Sequence, residues 1–179
     1  MIKLNENNLI LDTLKKWIGS IILLPIVIYL IQHDGRFFIV DYINLLIHEG
    51  GHGIFKIFGK YVYTLGGTLA QILIPGMFVI FYLIKRKRVP AQISLIWLGQ
   101  NLINISIYAS DARAQKLPLL GGKKVYHDWN YLLREIDFLN YDQAVGLLFY
   151  SLAIAVFIIS LLLPLFWSSH KISNITLEL

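Results

Sequence analysis

Cysteine is absent from all 179 residues. Its absence excludes disulfides, thiolate metal ligands and cysteine nucleophiles, so any bound metal must draw on His, Asp or Glu. Charge is sparse as well, with Asp, Glu, Lys and Arg making up 15% of the chain. No phosphate-binding glycine loop, Ser-His-Asp signature, internal repeat or low-complexity tract stands out, and no stretch reads as a separate soluble domain. What fills the sequence is apolar. It is 56% hydrophobic with a mean hydropathy of +0.62, more than a soluble domain of this length can bury around one core.

The composition therefore predicts an all-α integral membrane protein. Five stretches approach or exceed the ~17–25 apolar residues that span hydrocarbon as a helix: about 17–32, 36–58, 65–85, 90–109 and 143–168. The first follows Lys15 and Lys16 as a signal peptide would. No small-residue cleavage site comes after Ile31-Gln32-His33, so it reads as a retained anchor. The polar stretch from Ser110 to Asp142 is interrupted by Leu117-Pro118-Leu119-Leu120 and by Trp129-Asn130-Tyr131-Leu132-Leu133, a pattern expected to fold back against the membrane. The net charge of +5 arises from basic residues beside apolar spans. That placement suits membrane orientation better than nucleic-acid binding. The larger share of Lys and Arg favours a cytoplasmic N-terminus, with the Lys85-Arg86-Lys87-Arg88 cluster opposing it.

Within the second stretch lies His48-Glu49-Gly50-Gly51-His52. Helix residues four apart share a face at about 6 Å, so His48 and His52 can offer two nitrogens to one ion. Glu49, about 100° around the helix, reaches a water on that ion. Zinc brings the pKa of such a water to around 7, and Glu49 can take its proton and deliver it to a leaving amine. The expected chemistry is metal-assisted hydrolysis. Asp41, Asn44, His48, His52 and Lys56 recur every three or four residues, giving an otherwise apolar helix one polar stripe that must face protein or water. Gly50 and Gly51 weaken the helix by about 1 kcal/mol each, which suits close approach of another backbone or a substrate.

These residues resemble the site-2 protease family of intramembrane zinc metalloproteases. His48–His52 fits that family's HExGH pattern, including Gly51, and a short turn follows at Phe58-Gly59. Lys60-Tyr61-Val62-Tyr63 stands where the family has a small membrane-associated hairpin. Gly67-Thr68-Leu69-Ala70-Gln71 is similar to its G-P-L-A-N segment, with Thr68 in place of proline and Gln71 in place of asparagine. The similarity covers about 36–85. It implies a zinc endopeptidase with a three-helix core, Glu49 as general base, and Gln71 holding an extended substrate strand or the developing oxyanion. It also implies a multi-pass protein in the cell membrane, with a prokaryote as the expected setting.

The family's third ligand is an Asp in an L-D-G motif that this sequence lacks. Asp111, at the end of a polar face running through Asn101, Asn104 and Tyr108, is the first choice for that ligand. Asp128 is the alternative, with His127 beside it as another possible ligand. Helical rise puts the histidines about 18–24 Å into their span and Asp111 about 30 Å along its own, so tilt or unwinding must close the gap for Asp111. Asn101 and Asn104 lie at about the histidines' depth, where they can bind a substrate backbone or join helices.

The resulting expectation is a single membrane domain over residues 1–179. An anchor at about 17–32 precedes a core at about 36–133, and a final span follows at about 143–168. The expected partners are lipid, a transmembrane or membrane-associated peptide, and a regulatory protein, because no separate peptide-binding domain is visible to select substrates. The competing readings are a non-proteolytic protein that handles metal ions or protons and an inactive, protease-like chaperone or adaptor.

Overall fold

The computed structural model describes residues 6–118 and 126–167. Six α-helices and two short 3-10 turns account for nearly all of them, and no strand occurs among the described residues. The helices are α1 (Glu6–Gln32), α2 (Phe38–Phe55), α3 (Lys60–Ile84), α4 (Arg88–Ser110), α5 (Asp128–Glu135) and α6 (Asp142–Phe166).

Among the described residues, three segments are long and apolar enough to cross a membrane: Leu14–Gln32, Lys60–Ile84 and Leu139–Phe166. They correspond to the first, third and fifth of the expected spans. The second and fourth are helices too, but their polar residues dilute the apolar surface. Asp41, Asn44, His48, Glu49 and His52 do so on α2, and Gln92, Gln100, Asn101 and Asn104 on α4. Most of those residues are buried inside the bundle.

Helix ends follow local chemistry. The 3-10 turn Lys56–Phe58 after α2 stops at Gly59, whose φ of 86° is one that side-chain-bearing residues rarely adopt. That conformation reverses the chain into α3. At the start of α5 the His127 ring caps the helix, Nδ1 accepting from the Asn130 amide at 3.3 Å.

Packing falls into three linked interfaces, α4 on α6, α2 on α3 and α3 on α4. α4 runs along α6, with Phe157 lying where a Cβ on Gly99 would point. α2 lies against α3 through glycines: a Cβ on Gly51 would collide with the Gly66 carbonyl, and one on Gly66 would come 2.8 Å from the Gly51 carbonyl oxygen. This close approach explains Gly51 by helix packing. Gly50 has open space around it. α2 stands off from α4 and is joined to it by long side chains. Gln100 Nε2 donates to Asp41 Oδ1 at 2.9 Å, and Trp97 Nε1 donates to Asn44 Oδ1 at 2.8 Å.

The stretch after α4 folds back, as its apolar interruptions predict. Trp129, Leu132 and Leu133 recur at helical spacing on α5 and bury against Ile105, Ala109 and Ala112. Arg113 and Asp142 then clamp the ends of α4 and α6. The Arg113 Nε and NH2 groups donate to Asp142 Oδ1 at 2.9 and 2.7 Å, and the Arg113 amide donates to Oδ2 at 3.2 Å.

Candidate metal centre

Helical spacing on α2 puts His48 and His52 one turn apart, their ring centroids separated by 4.8 Å. α3 holds both rings from behind. Tyr63, Gly67 and Gln71 are four residues apart on one face of α3, and each handles part of the pair. His48 Nδ1 donates to Gln71 Oε1 at 2.9 Å, and His52 Nδ1 donates to the Tyr63 carbonyl at 2.8 Å. Gly67 supplies the room, since a Cβ there would lie within 2.7 Å of three atoms of the His48 ring.

Those two bonds fix the tautomer. An oxygen acceptor on each Nδ1 keeps the proton on that nitrogen and leaves Nε2 as a bare lone pair. Both lone pairs point at one carboxylate oxygen: Asp128 Oδ2 lies 2.9 Å from His48 Nε2 and 3.2 Å from His52 Nε2. Three acceptors facing one another in a buried site need a cation or a shared proton between them. His48, His52 and Asp128 form a group able to hold a metal ion, with one ligand atom from each residue inside a 4.8 Å cluster. The donors are two imidazole nitrogens, each ring oriented by a further hydrogen bond as metal-binding histidines usually are, and a carboxylate oxygen.

Asp128 is anchored from its own side. Its backbone amide donates to the Tyr108 hydroxyl at 3.1 Å. The chain entering α5 is strapped to the start of α3. Thr64 Oγ1 and the Tyr126 hydroxyl share a 2.8 Å hydrogen bond, and Lys60 Nζ sits 4.4 Å from the Tyr131 ring centroid.

The third ligand in this geometry is Asp128, which corrects the preference for Asp111. The Asp111 carboxylate accepts the Lys116 and Leu117 amides at 2.9 Å each, so it shapes the turn after α4 and lies outside the histidine group. His127 is not a ligand in this geometry either. Its Nδ1 caps α5, and its Nε2 lies 3.4 Å from Asp111 Oδ2 without the alignment of a hydrogen bond. Burial pushes the His127 imidazole below its ordinary value against the pull of Asp111 and Asp128, in keeping with a neutral capping ring.

A cleft of about 670 Å³ opens on the group and is lined in part by Glu49, His48, His52, Asp128, Gln71 and Asn104. Glu49 is exposed to it and makes no hydrogen bond or ion pair among the described residues, which leaves its carboxylate free to exchange a proton. Asn104 is on the wall, as a substrate-binding residue would be. Asn101 is not: it is fully buried, and its amide donates to Asn44 Oδ1 at 3.2 Å and to the Trp97 carbonyl at 3.0 Å. It joins helices, the second of the two roles open to it in the sequence. Gln71 lies beside the centre as expected, with its carbonyl oxygen committed to orienting His48.

Two contributors escaped the sequence reading of the site. The Tyr63 carbonyl is a backbone group with no residue signature, whereas Tyr108 carried a signal as a member of the polar face leading to Asp111. No family model, curated protein or solved structure matches the chain. The case for function therefore rests on the chemistry of the site.

Proposed function

We propose that this chain is a multi-pass intramembrane zinc metalloprotease, similar to the site-2 proteases, that hydrolyses peptide bonds of membrane-embedded or membrane-associated substrates. The observation that carries the reading is the convergence of two bare Nε2 lone pairs and the Asp128 carboxylate at a cleft where an unpaired Glu49 also stands. A set of nitrogen and oxygen donors without thiolates fits zinc, and three protein ligands with an open side is the pattern of catalytic rather than structural sites. The ion supplies Lewis-acid chemistry when bound, acidifying water and polarising the scissile carbonyl.

The chain's own residues supply the rest. Glu49 accepts the proton of the attacking water and returns it to the amine nitrogen as the carbon–nitrogen bond breaks. Gln71 and the Tyr63 carbonyl keep the imidazoles in the tautomer that binds a cation. Asn104 offers an amide to the backbone of a bound peptide. That peptide must be locally unwound, because a helix shields its own amides inside hydrogen-bonded turns. In this reading α2 and α4 also lie within the bilayer, their polar faces turned toward each other, the cleft and α5 rather than toward lipid.

Glu49→Gln tests the reading in detergent-purified protein supplied with zinc. The variant is expected to retain one zinc per chain and to lose cleavage of membrane peptides by about 10²–10⁴-fold, the usual contribution of a general acid–base. Cleavage that persists at the wild-type rate would defeat it, as would a zinc-loaded wild type that cuts no membrane peptide, the outcome that favours the metal- or proton-handling alternative.

A further inference from the structure

Tyr108 sits on α4 against the candidate centre, its ring centroid 5.9 Å from that of His48 and 4.3 Å from that of His127. Its hydroxyl oxygen accepts the backbone N–H of Asp128 at 3.1 Å. A phenol that accepts from a fixed donor turns its own O–H away from that donor. Among the described residues the acceptor within reach of this O–H is the Asp128 carboxylate, the same group that His48 and His52 share. Tyr108 also lines the cleft together with Glu49, His48, His52 and Asp128. The oxygen is therefore positioned by the metal-binding segment itself, and a cation that engages the Asp128 carboxylate releases the O–H to donate into the cleft.

Amide hydrolysis requires a donor of this kind. Negative charge builds on the carbonyl oxygen as water adds, and a donor fixed in advance outside bulk water stabilises that charge more than it stabilises the neutral substrate. Gln71, the residue expected to serve there, has its carbonyl oxygen bonded to His48. We propose that Tyr108 is a catalytic residue whose O–H donates to the carbonyl oxygen of the scissile amide as that oxygen becomes anionic. The proposal rests on the protease reading above. In the reaction the water oxygen bonds to the carbonyl carbon while Glu49 takes a proton. The carbon–nitrogen bond then breaks as that proton passes to the amine. Tyr108 keeps its own proton throughout, and its hydrogen bond tightens only while the charge exists.

The test compares full-length wild type with Tyr108→Phe, which preserves the ring against His127 and removes only the hydroxyl. Each is loaded with zinc in detergent and measured for zinc content, for kcat and KM on a membrane peptide, and for affinity toward a phosphinic peptide carrying a tetrahedral anionic group. The expected result is unchanged zinc content, a KM within about twofold, and a kcat lower by about 10²–10³-fold. Affinity for the phosphinic peptide should fall with kcat. Wild-type kcat and phosphinic affinity in the variant would overturn the proposal and leave the protease reading standing. Loss of zinc together with activity would also overturn it, making Tyr108 a positioning residue for Asp128. A zinc-loaded wild type that neither cleaves membrane peptides nor binds the phosphinic peptide would sink both.

Discussion

The polar side chains buried between α1, α4 and α6 and those buried between α2, α3 and α5 obey opposite rules. In the first region Gln92 Nε2 donates to Ser20 Oγ and to the Ser160 carbonyl at 2.8 Å each, Ser20 Oγ donates to the Leu161 carbonyl at 2.8 Å, and Ser160 Oγ donates to the Gln92 carbonyl at 2.9 Å. Within this Gln92, Ser20 and Ser160 network every side-chain donor has an acceptor, and Gln92 Oε1 alone goes without a partner. In the second region each histidine uses one nitrogen in the same saturated way and turns the other, unprotonated, toward a carboxylate. Saturation marks a joint between helices, because polar groups in an apolar interior are stable only when paired. Lone pairs gathered on one point are destabilising unless something positively charged occupies it, so such an arrangement marks a site.

The comparison breaks most readily at the acid. Asp128→Ala is expected to abolish stoichiometric zinc binding, whereas Asp111→Ala should retain it, as read by metal analysis of the detergent-purified proteins. Zinc retained by the first variant and lost by the second would return Asp111 to the ligand set. A smaller effect is expected one step out. Gln71→Ala removes the acceptor that fixes the His48 tautomer, and zinc affinity measured by competition with a chelator should weaken by about 10–100-fold. Unchanged affinity would mean that Tyr63, Gly67 and packing suffice to orient the pair. The smallest change should come from the saturated region, where Ser160→Ala is expected to lower stability by about 1 kcal/mol. Chemical unfolding in micelles reads that loss. Zinc content should not change, and a coupled loss of metal would show that the two regions are not independent.

How much of this was legible in the sequence depended on the range of the interaction. His48 and His52 were legible because a helix fixes the relation of residues four apart, and Glu49 because its place relative to them is equally local. The all-helical character followed from apolar runs, and the return of the segment after α4 from its Trp and Leu residues. The third ligand was not legible in the same way. Asp111 continued a polar helical face, which is a local criterion, and that face ends in a turn where two backbone amides take up the carboxylate. Asp128 reaches the histidines because Trp129, Leu132 and Leu133 seat α5 on α4, a tertiary event that spacing does not encode. Asn101 and Asn104 looked equivalent in the sequence, one turn apart. Only their surroundings separate them, one pinned by Asn44 and Trp97 and the other open to the cleft.

The strap that carries Asp128 has a consequence for synthesis. His48 and its acid are separated by eighty positions, and the residues that hold α5 down, Thr64 and Lys60, emerge well before the Tyr126 and Tyr131 they grip. A ribosome-bound chain ending before α5 has both imidazoles and the glutamate in hand but only two of the three residues that could hold a metal ion. The group that could hold a metal ion is therefore incomplete until the chain has doubled back on itself, after four of the six described helices have been made.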